Sequence, residues 1–473
     1  MWYFFSYLVF FYSLVIMASY LWLCIQSYRV QKKLALETPD DETIKYIIDR
    51  SPLAPSVSII VPAHDDKSTV TTTVDSLLQL DYPRYEIIIV SDESEDQLQL
   101  LRETYQLEPV PFTPVYKVPC RKIRGLYKSS NPAYANLTVV DKLSGGRKSD
   151  SANAGINVCT TDYFVNTDAD CIVEPMALYR VMWPVMNSHD TMIGVSGTML
   201  MSNNCDIDWI RERYEDSQKK KGKRERGFFP FLLPKFQQLE YMRSFLIGKL
   251  GWSELNALPN ISGGFGFFNT DIVIKSGGYD NTSMAEDVDM LLRMVTYMKN
   301  NGLKYTLAQV PKVCCWTAGP ETFTEMKNQR TRWARGLFEI TVNHFEMFFN
   351  RHYGVMGIFT LPYIFIFEFL AIFIEALGLY WLGILLITDA VNWSTFFIIF
   401  GMVYLFSILM TFVLMFFDYR LQTAPWKNRK KRYLTFFWCS VIEMLYHLML
   451  TVFSMIGFYQ YVTNKGKEWK SIG

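Results

Sequence analysis

The chain has 473 residues, of which 50% are hydrophobic and 16% aromatic, and its formal net charge is +1. That length accommodates a sizeable soluble domain together with membrane helices, and the near-neutral charge gives no global field for nucleic acid. The eight cysteines show no CxxC or finger spacing and the five histidines form no HExxH pair, which argues against a zinc enzyme and reads as reduced thiols of a cytosolic compartment.

Residues Trp2 to Ile25 carry no charge and are rich in Phe, Tyr, Leu and Val; about 20 apolar residues span a bilayer. No basic segment precedes them and no small-x-small cleavage site follows, so the stretch reads as an anchor and not a signal peptide. Arg29, Lys32 and Lys33 come next. By the positive-inside tendency the N-terminus is then outside and the following domain cytoplasmic. Residues 1–28 are read as the anchor, 29–54 as a linker, 55–338 as a cytoplasmic domain and 339–473 as interface and transmembrane helices.

The central part alternates. Ser56 to Pro62 reads as a buried parallel strand, Lys67 to Leu80 as a helix and Tyr85 to Val90 as a strand. Strands over Leu137–Val140, Tyr163–Asn166 and Met192–Gly197 interleave with helices over Asp150–Val158 and Met176–Met186. Such alternation predicts an α/β, mostly parallel sheet with helices on both faces. Ligands of such sheets bind beyond the carboxyl ends of strands. Residues 203 to 235 break the pattern with a basic run, Lys219 to Arg224, and an apolar loop, Phe228 to Pro234; these suit a solvated insertion or a membrane-surface contact equally. A helix over Phe236 to Leu250 and a glycine-rich strand, Ile261 to Phe268, follow.

After Phe338 the composition turns apolar. Gly354 to Ile387 is interrupted by Pro362, Glu368 and Glu375; Trp393 to Phe417 is a cleaner span; Tyr433 to Val462 carries Glu443 and His447 one turn apart. The basic stretch Asp418 to Arg432 and the tail lysines Lys465, Lys467 and Lys470 both read as inside. That requires an even number of crossings after the cytoplasmic domain, two or four, with some segments in the interface.

Carboxylates sit at the strand ends. Asp92 suits either a nucleotide base N–H or a cap for the next helix. Asp168-Ala-Asp170 can aim two oxygens at one divalent cation shared with a diphosphate. Gly145-Gly-Arg-Lys-Ser-Asp150 suits a nucleotide at a helix N-terminus, or a surface turn capped by Asp150. Glu286-Asp287 opens a helix, where acidic residues favour the dipole; Asp287 is also the candidate base for an acceptor hydroxyl. Gln329, Arg332 and Trp333 share one helical face. Arg332 can neutralise a diphosphate and Trp333 can stack on a sugar, although a snorkelling Arg and an interfacial Trp give the same pattern.

In this order, Pro62-Ala-His-Asp-Asp66, Asp92, Gly145 to Gly155, Asp168-x-Asp170, Ser262-Gly-Gly-Phe-Gly266, Glu286-Asp287 and Gln329-x-x-Arg-Trp333 resemble the membrane-bound family-two inverting β-glycosyltransferases. These include hyaluronan, chitin, cellulose and poly-β-1,6-N-acetylglucosamine synthases. The resemblance implies a glycosyltransferase type A fold, Rossmann-like, flanked by N-terminal and C-terminal transmembrane helices. It implies a UDP-sugar donor and Mg²⁺ or Mn²⁺ held by Asp168 and Asp170. It places Asp92 and Lys148 on the uridine, Asp287 as base, Gln329 and Arg332 on the donor diphosphate, and Glu286, Trp333 and Glu240 on the acceptor side. The sequence departs from the family pattern at Ser91, Glu93, Asp65-Asp66, Ala285 and Asn269. Expected partners are the donor, a saccharide or lipid acceptor and the bilayer, with an accessory export subunit a further candidate. The expected product is a β-linked polysaccharide, against a single sugar on a membrane lipid or a non-catalytic export scaffold.

Overall fold

The computed structural model describes residues 2–463 apart from 65, 66, 68, 204 and 222–227. The chain forms two compact units. One takes Ala35–Arg226 and Asn260–Gly319; the other takes Met1–Leu34, Gly227–Pro259 and Pro320–Gly473.

The first unit is built on a ten-stranded mixed sheet: β1 (Val57–Ala63), β2 (Tyr85–Asp92), β3 (Leu107–Val110), β4 (Ile123–Ser129), β5 (Leu137–Lys142), β6 (Tyr163–Thr167), β7 (Ile172–Val173), β8 (Thr191–Met201), β9 (Phe265–Asn269) and β10 (Tyr305–Thr317). The spatial order is β3-β4-β5-β2-β1-β6-β9-β8-β10-β7. Its centre, β5-β2-β1-β6, is wholly parallel, and β8 and β10 form a second parallel pair. β9 runs antiparallel between β6 and β8. β1 is buried at every position, as a parallel strand covered on both faces must be. The helix Lys148–Val158 lies close on it: a Cβ at Gly155 would come within 2.4 Å of Ile60 Cγ2. Because β2, β5 and β6 run the same way, Asp92, Lys142 and the Thr167-Asp168 step leave the sheet at one edge.

The anticipated strands and helices form with shifts of a few residues at their ends. β3, β4 and the thirteen-residue β10 were not anticipated. β4 alternates Arg, Tyr and Lys with apolar positions, and β10 carries Pro311. Both depart from the continuous apolar runs that reveal β1 and β2. The apolar loop expected at Phe228 to Pro234 is instead helical, within Phe228–Arg243. Pro230 falls in the first turn, where N–H groups have no intrahelical acceptor to lose. Asp65 and Asp66 lie outside the described residues.

The second unit is helical. The N-terminal helix Trp2–Glu37 packs on the end of a helix that starts at Phe228 and widens into a π-turn at Ser244–Lys249. Ser27 Oγ donates to the Leu246 carbonyl at 2.6 Å, and a Cβ on Gly251 would stand 2.8 Å from the Leu23 carbonyl oxygen. The helix Phe323–Asn343 begins with a capping box, Thr322 and Glu325. It crosses Arg429–Val462 closely at Gly457, where a Cβ would be 2.6 Å from the Thr331 carbonyl oxygen. Phe338 fixes the crossing through ring contacts with Phe458 and Tyr461 at 5.1 and 4.6 Å.

Among the described residues, four helices are long and apolar enough to cross a membrane: Tyr7–Glu37, Met356–Ile387, Trp393–Leu421 and Arg429–Val462. Tyr380, Ile387, Leu405 and Leu445 on their outer faces are each at least 65% exposed, which suits lipid and not water. Three of the four follow the sheet, where an even number was expected. The first of these three is opened by π-turns at Met356–Thr360 and Phe365–Phe369.

Candidate active site

The expected site residues fall in both units, and each half has its own geometry. In the first unit, β6 ends at Thr167 and delivers Asp168 and Asp170 into a turn closed by the Cys171 amide on the Asp168 carbonyl at 3.1 Å. Opposite, Glu286 and Asp287 open the helix Glu286–Asn300. The segment between them is Gly263-Gly264. The Gly263 amide donates to Asp287 Oδ2 at 3.0 Å, while the Gly263 carbonyl accepts from Lys148 Nζ at 2.8 Å. Lys148 Nζ also donates to Asp168 Oδ1, and Thr167 Oγ1 holds the Gly264 carbonyl at 2.9 Å. Two residues without side chains therefore bring Lys148, Asp168 and Asp287 together. Burial disfavours the Lys148 ammonium, but Asp168 and Glu286 beside it outweigh that and raise its pKa above the ordinary lysine value.

Space at the two glycines is unequal. A Cβ on Gly263 would lie 3.4 Å from Asp287 Oδ2, an ordinary contact; one on Gly264 would lie 2.5 Å from Met199 Cε and 3.2 Å from Asp168 Oδ2. Gly264→Ala is expected to lower sugar transfer by roughly tenfold or more, since small displacements of reacting groups are costly. Gly263→Ala is expected to cost less. Initial rates of the two variants, measured side by side, check the order.

Asp168, Asp170 and Cys171 place one ligand atom each within 4.8 Å of one another. Two carboxylate oxygens on alternate residues, with the cation Lys148 already on one of them, suit a hard divalent ion that shares its remaining positions with phosphate oxygens. The donor set fits Mg²⁺ or Mn²⁺.

Tyr279, which the sequence did not single out, is buried beside this cluster. Asn153 brackets its backbone with two 2.8 Å hydrogen bonds. Burial and the nearby Asp287, Glu286 and Asp168 raise its hydroxyl well above the usual tyrosine pKa.

Asp92 belongs to a separate buried cluster. Lys142, fully buried at the end of β5, donates to Asp92 Oδ1 at 2.5 Å and reaches Asp150 Oδ2 at 2.7 Å. Ser144 Oγ donates to Asp92 Oδ2 at 3.2 Å. Asp92 does not cap the helix Glu95–Tyr105, whose N-cap is Ser94. Nor does Asp150 cap its own helix: it lies within the first turn, after Arg147, and accepts from the Arg121 amide at 2.9 Å. Gly146 (φ +71°) makes the turn between the two, and a Cβ on Gly145 would strike the Asp150 carboxylate at 2.3 Å.

In the second unit, Gln329, Arg332 and Trp333 lie on Phe323–Asn343, and Glu240 on Phe228–Arg243. Gln237 Nε2 donates to Gln329 Oε1 at 2.9 Å. Glu240 is held by Arg330, in a bidentate pair at 2.5 and 2.6 Å, and by Tyr446 at 3.1 Å. Arg330 also lies 4.5 Å over the Trp333 ring, which packs on Tyr241 at 6.4 Å. Burial disfavours the Arg330 guanidinium, but Glu240 and the neighbouring tyrosines outweigh it and raise its pKa. Arg332 forms no ion pair among the described residues and is half-exposed. Sequence reasoning missed Arg330, because the Glu240 that pairs with it is 90 residues away.

A polar seam continues along Arg429–Val462. Glu443, Tyr446, His447 and Thr451 recur at helical spacing on one face. Glu443 pairs with Arg243 at 2.5 Å and accepts from Ser407 at 2.7 Å. His447 and Thr451 contact Glu375 at 3.0 and 2.7 Å.

Residues 58–237 match the model of glycosyl transferase family 2, and residues 246–460 that of glycosyl transferase family group 2. Over 292 residues the chain is 26% identical to the poly-β-1,6-N-acetyl-D-glucosamine synthase of Staphylococcus aureus; the match spans 61% of this chain and 56% of the synthase. It is 25% identical over 327 residues to the probable glycosyltransferase YdaM of Bacillus subtilis, spanning 67% of this chain and 64% of YdaM. The mannosyltransferase PcManGT of Pyrobaculum calidifontis, solved with GDP-mannose and Mn²⁺, superposes with a TM-score of 0.53 at 14% identity, covering 97% of this chain and 100% of that one. That likeness is one of fold, glycosyltransferase type A. The sheet, the strand-end carboxylates and the two family models agree, and the chain belongs to the family 2 glycosyltransferases.

Proposed function

We propose that the protein transfers a sugar from a UDP-sugar to a growing β-linked polysaccharide, with inversion at the anomeric carbon. The observation that carries this reading is the Gly263-Gly264 bracket, which sets a carboxylate for proton removal, Asp287, beside the carboxylate and ammonium of Asp168 and Lys148. The acceptor hydroxyl oxygen attacks the anomeric carbon, its proton passes to Asp287, and the bond from that carbon to the diphosphate breaks as UDP leaves. One in-line attack converts an α-linked donor into a β-linked product. Asp168 and Asp170 would hold Mg²⁺ or Mn²⁺, which when bound offsets the charge of the diphosphate. Arg332, without an ion pair among the described residues, is the cation assigned to the leaving group, with Gln329 beside it; Trp333, 39% exposed, supplies a ring face for a sugar. Glu286 and Glu240 are assigned to the acceptor side, and Asp92 to the uracil base. The donor is taken as UDP-N-acetylglucosamine or a related sugar, after the S. aureus relative.

The four apolar helices are proposed to lie in a membrane, with the sheet-bearing unit in the cytoplasm, the side that Arg29, Lys32 and Lys33 mark by the positive-inside tendency. Buried charge in a bilayer is costly unless it is paired or lines a polar path. The Glu443–Arg243 and Glu375–His447 pairs suit a path for a hydroxyl-rich chain. If the tail is cytoplasmic as well, one of the three C-terminal helices lies in the interface instead of crossing.

Purified protein incubated with UDP-sugars and Mn²⁺ is expected to release UDP and form a protease-resistant polymer. No UDP release with any donor ends the reading; a single sugar on a lipase-sensitive product favours lipid transfer. Chelation by EDTA is expected to abolish release and Mn²⁺ to restore it, with Asp170→Asn raising the Mn²⁺ concentration needed.

A further inference from the structure

Of the buried cluster around Lys142, only Asp92 has been given a role above, and the chemistry of the cluster is unusual. Three charged side chains, Asp92, Lys142 and Asp150, are 4%, 0% and 3% exposed. One ammonium faces two carboxylates, so the group carries a net negative charge inside the protein. Buried charges persist only where hydrogen bonds complete them. Asp150 Oδ1 accepts from the Arg121 amide at 2.9 Å and Asn281 Nδ2 at 3.1 Å, while its Oδ2 meets only the Lys142 ammonium, at 2.7 Å. Asp92 takes Lys142 on Oδ1, and on Oδ2 a hydrogen bond from Ser144 at 3.2 Å with the His64 ring 3.9 Å away. Acceptor capacity is left on Asp150 Oδ2, which is enclosed, and at the end of β2 on Asp92, each of whose oxygens takes a single hydrogen bond.

We propose that Lys142 is a positioning residue for donor recognition, bridging Asp150 and Asp92 so that Asp92 presents only acceptor oxygens to the nucleotide base. This rests on the nucleotide-donor reading above and adds to it a cause for base selection. With both oxygens already accepting, Asp92 has no proton to offer. It suits a base whose ring nitrogen carries a hydrogen, as uracil N3 does, and repels cytosine, whose N3 presents a lone pair. A site built for one hydrogen-bonding pattern rejects the opposite pattern strongly, because buried polar groups are then left facing like groups. Lys142 also ties the base-contacting strand end to the turn carrying Gly145 and Gly146 and to the helix bearing Lys148. One ammonium thus sets the register of two donor-binding segments.

The test uses the full-length protein in detergent, with UDP and CDP as probes in equilibrium binding. Wild type is expected to prefer UDP by at least tenfold. Lys142→Met leaves two buried carboxylates facing each other and is prone to unfold. The double variant Lys142→Met, Asp150→Asn keeps the cluster's net charge and retains an oxygen for the Arg121 amide, so it is the decisive one. Its preference for UDP is expected to fall at least tenfold while circular dichroism and the thermal midpoint stay near wild type; a structural role alone would move the midpoint and leave the preference. A folded variant, single or double, with wild-type preference overturns the role of Lys142 and leaves the donor reading standing. Wild type that binds neither nucleotide overturns both.

Discussion

Asp287→Asn is expected to lower sugar transfer by about 10²–10⁴-fold, the usual contribution of a positioned general base. The substitution removes the proposed proton acceptor and little else. Asp287 Oδ2 accepts from the Gly263 amide at 3.0 Å and Oδ1 from the Val288 amide at 2.9 Å. An asparagine keeps one of these acceptors, so the loss of stability is about 1 kcal/mol. UDP affinity is expected to stay near wild type, because the residues proposed to bind the donor, Lys148, Asp168 and Asp92, are untouched. Initial rates with a UDP-sugar, alongside calorimetric UDP binding, separate the two effects. A variant that transfers at the wild-type rate would remove Asp287 from the chemistry and favour a non-catalytic export scaffold.

The second large effect concerns the pair Arg330–Glu240. Glu240→Gln leaves Arg330, 7% exposed, as an unpaired cation under Trp333 and Tyr446. Breaking a buried pair from one side costs about 3–5 kcal/mol. Arg330→Met is expected to cost less, since the stranded Glu240 side chain is 36% exposed and can recruit water. The double substitution is expected to recover much of the loss, as strongly coupled partners do not add. Thermal unfolding of the three variants in detergent checks the order. A double variant whose loss equals the sum of the two single losses would mean that the guanidinium is not held by Glu240.

These two effects also separate what the sequence makes legible from what it hides. Asp168, Asp170 and Asp287 announce themselves because each ends a strand or opens a helix whose periodicity is local. The run Tyr163 to Thr167 is apolar enough to mark a buried strand, and the Asp-Ala-Asp step after it stands out. Lys142 does not stand out, since a lysine at the end of a strand reads as exposed until Asp92, fifty positions earlier, is seen to meet it. Arg330 is hidden in the same way beside Arg332, because helical spacing alone groups Arg332 with Gln329 and Trp333. The two-unit division is hidden more deeply. Residues 227–259 and 320–343 look like parts of the soluble α/β pattern, yet they pack with the apolar helices. Only long-range pairs such as Glu240–Tyr446 and Arg243–Glu443 reveal it. β4 and β10 escaped because charged and proline residues interrupt them, which edge or bulged strands tolerate and central strands do not.

The proposed reaction is a single displacement at the anomeric carbon assisted by Asp287. NMR of the product formed from an α-linked UDP-sugar by the purified, Mn²⁺-supplied protein tests it most directly. A β-configured glycosidic linkage with one UDP released per sugar is expected; an α-configured linkage would contradict a single displacement.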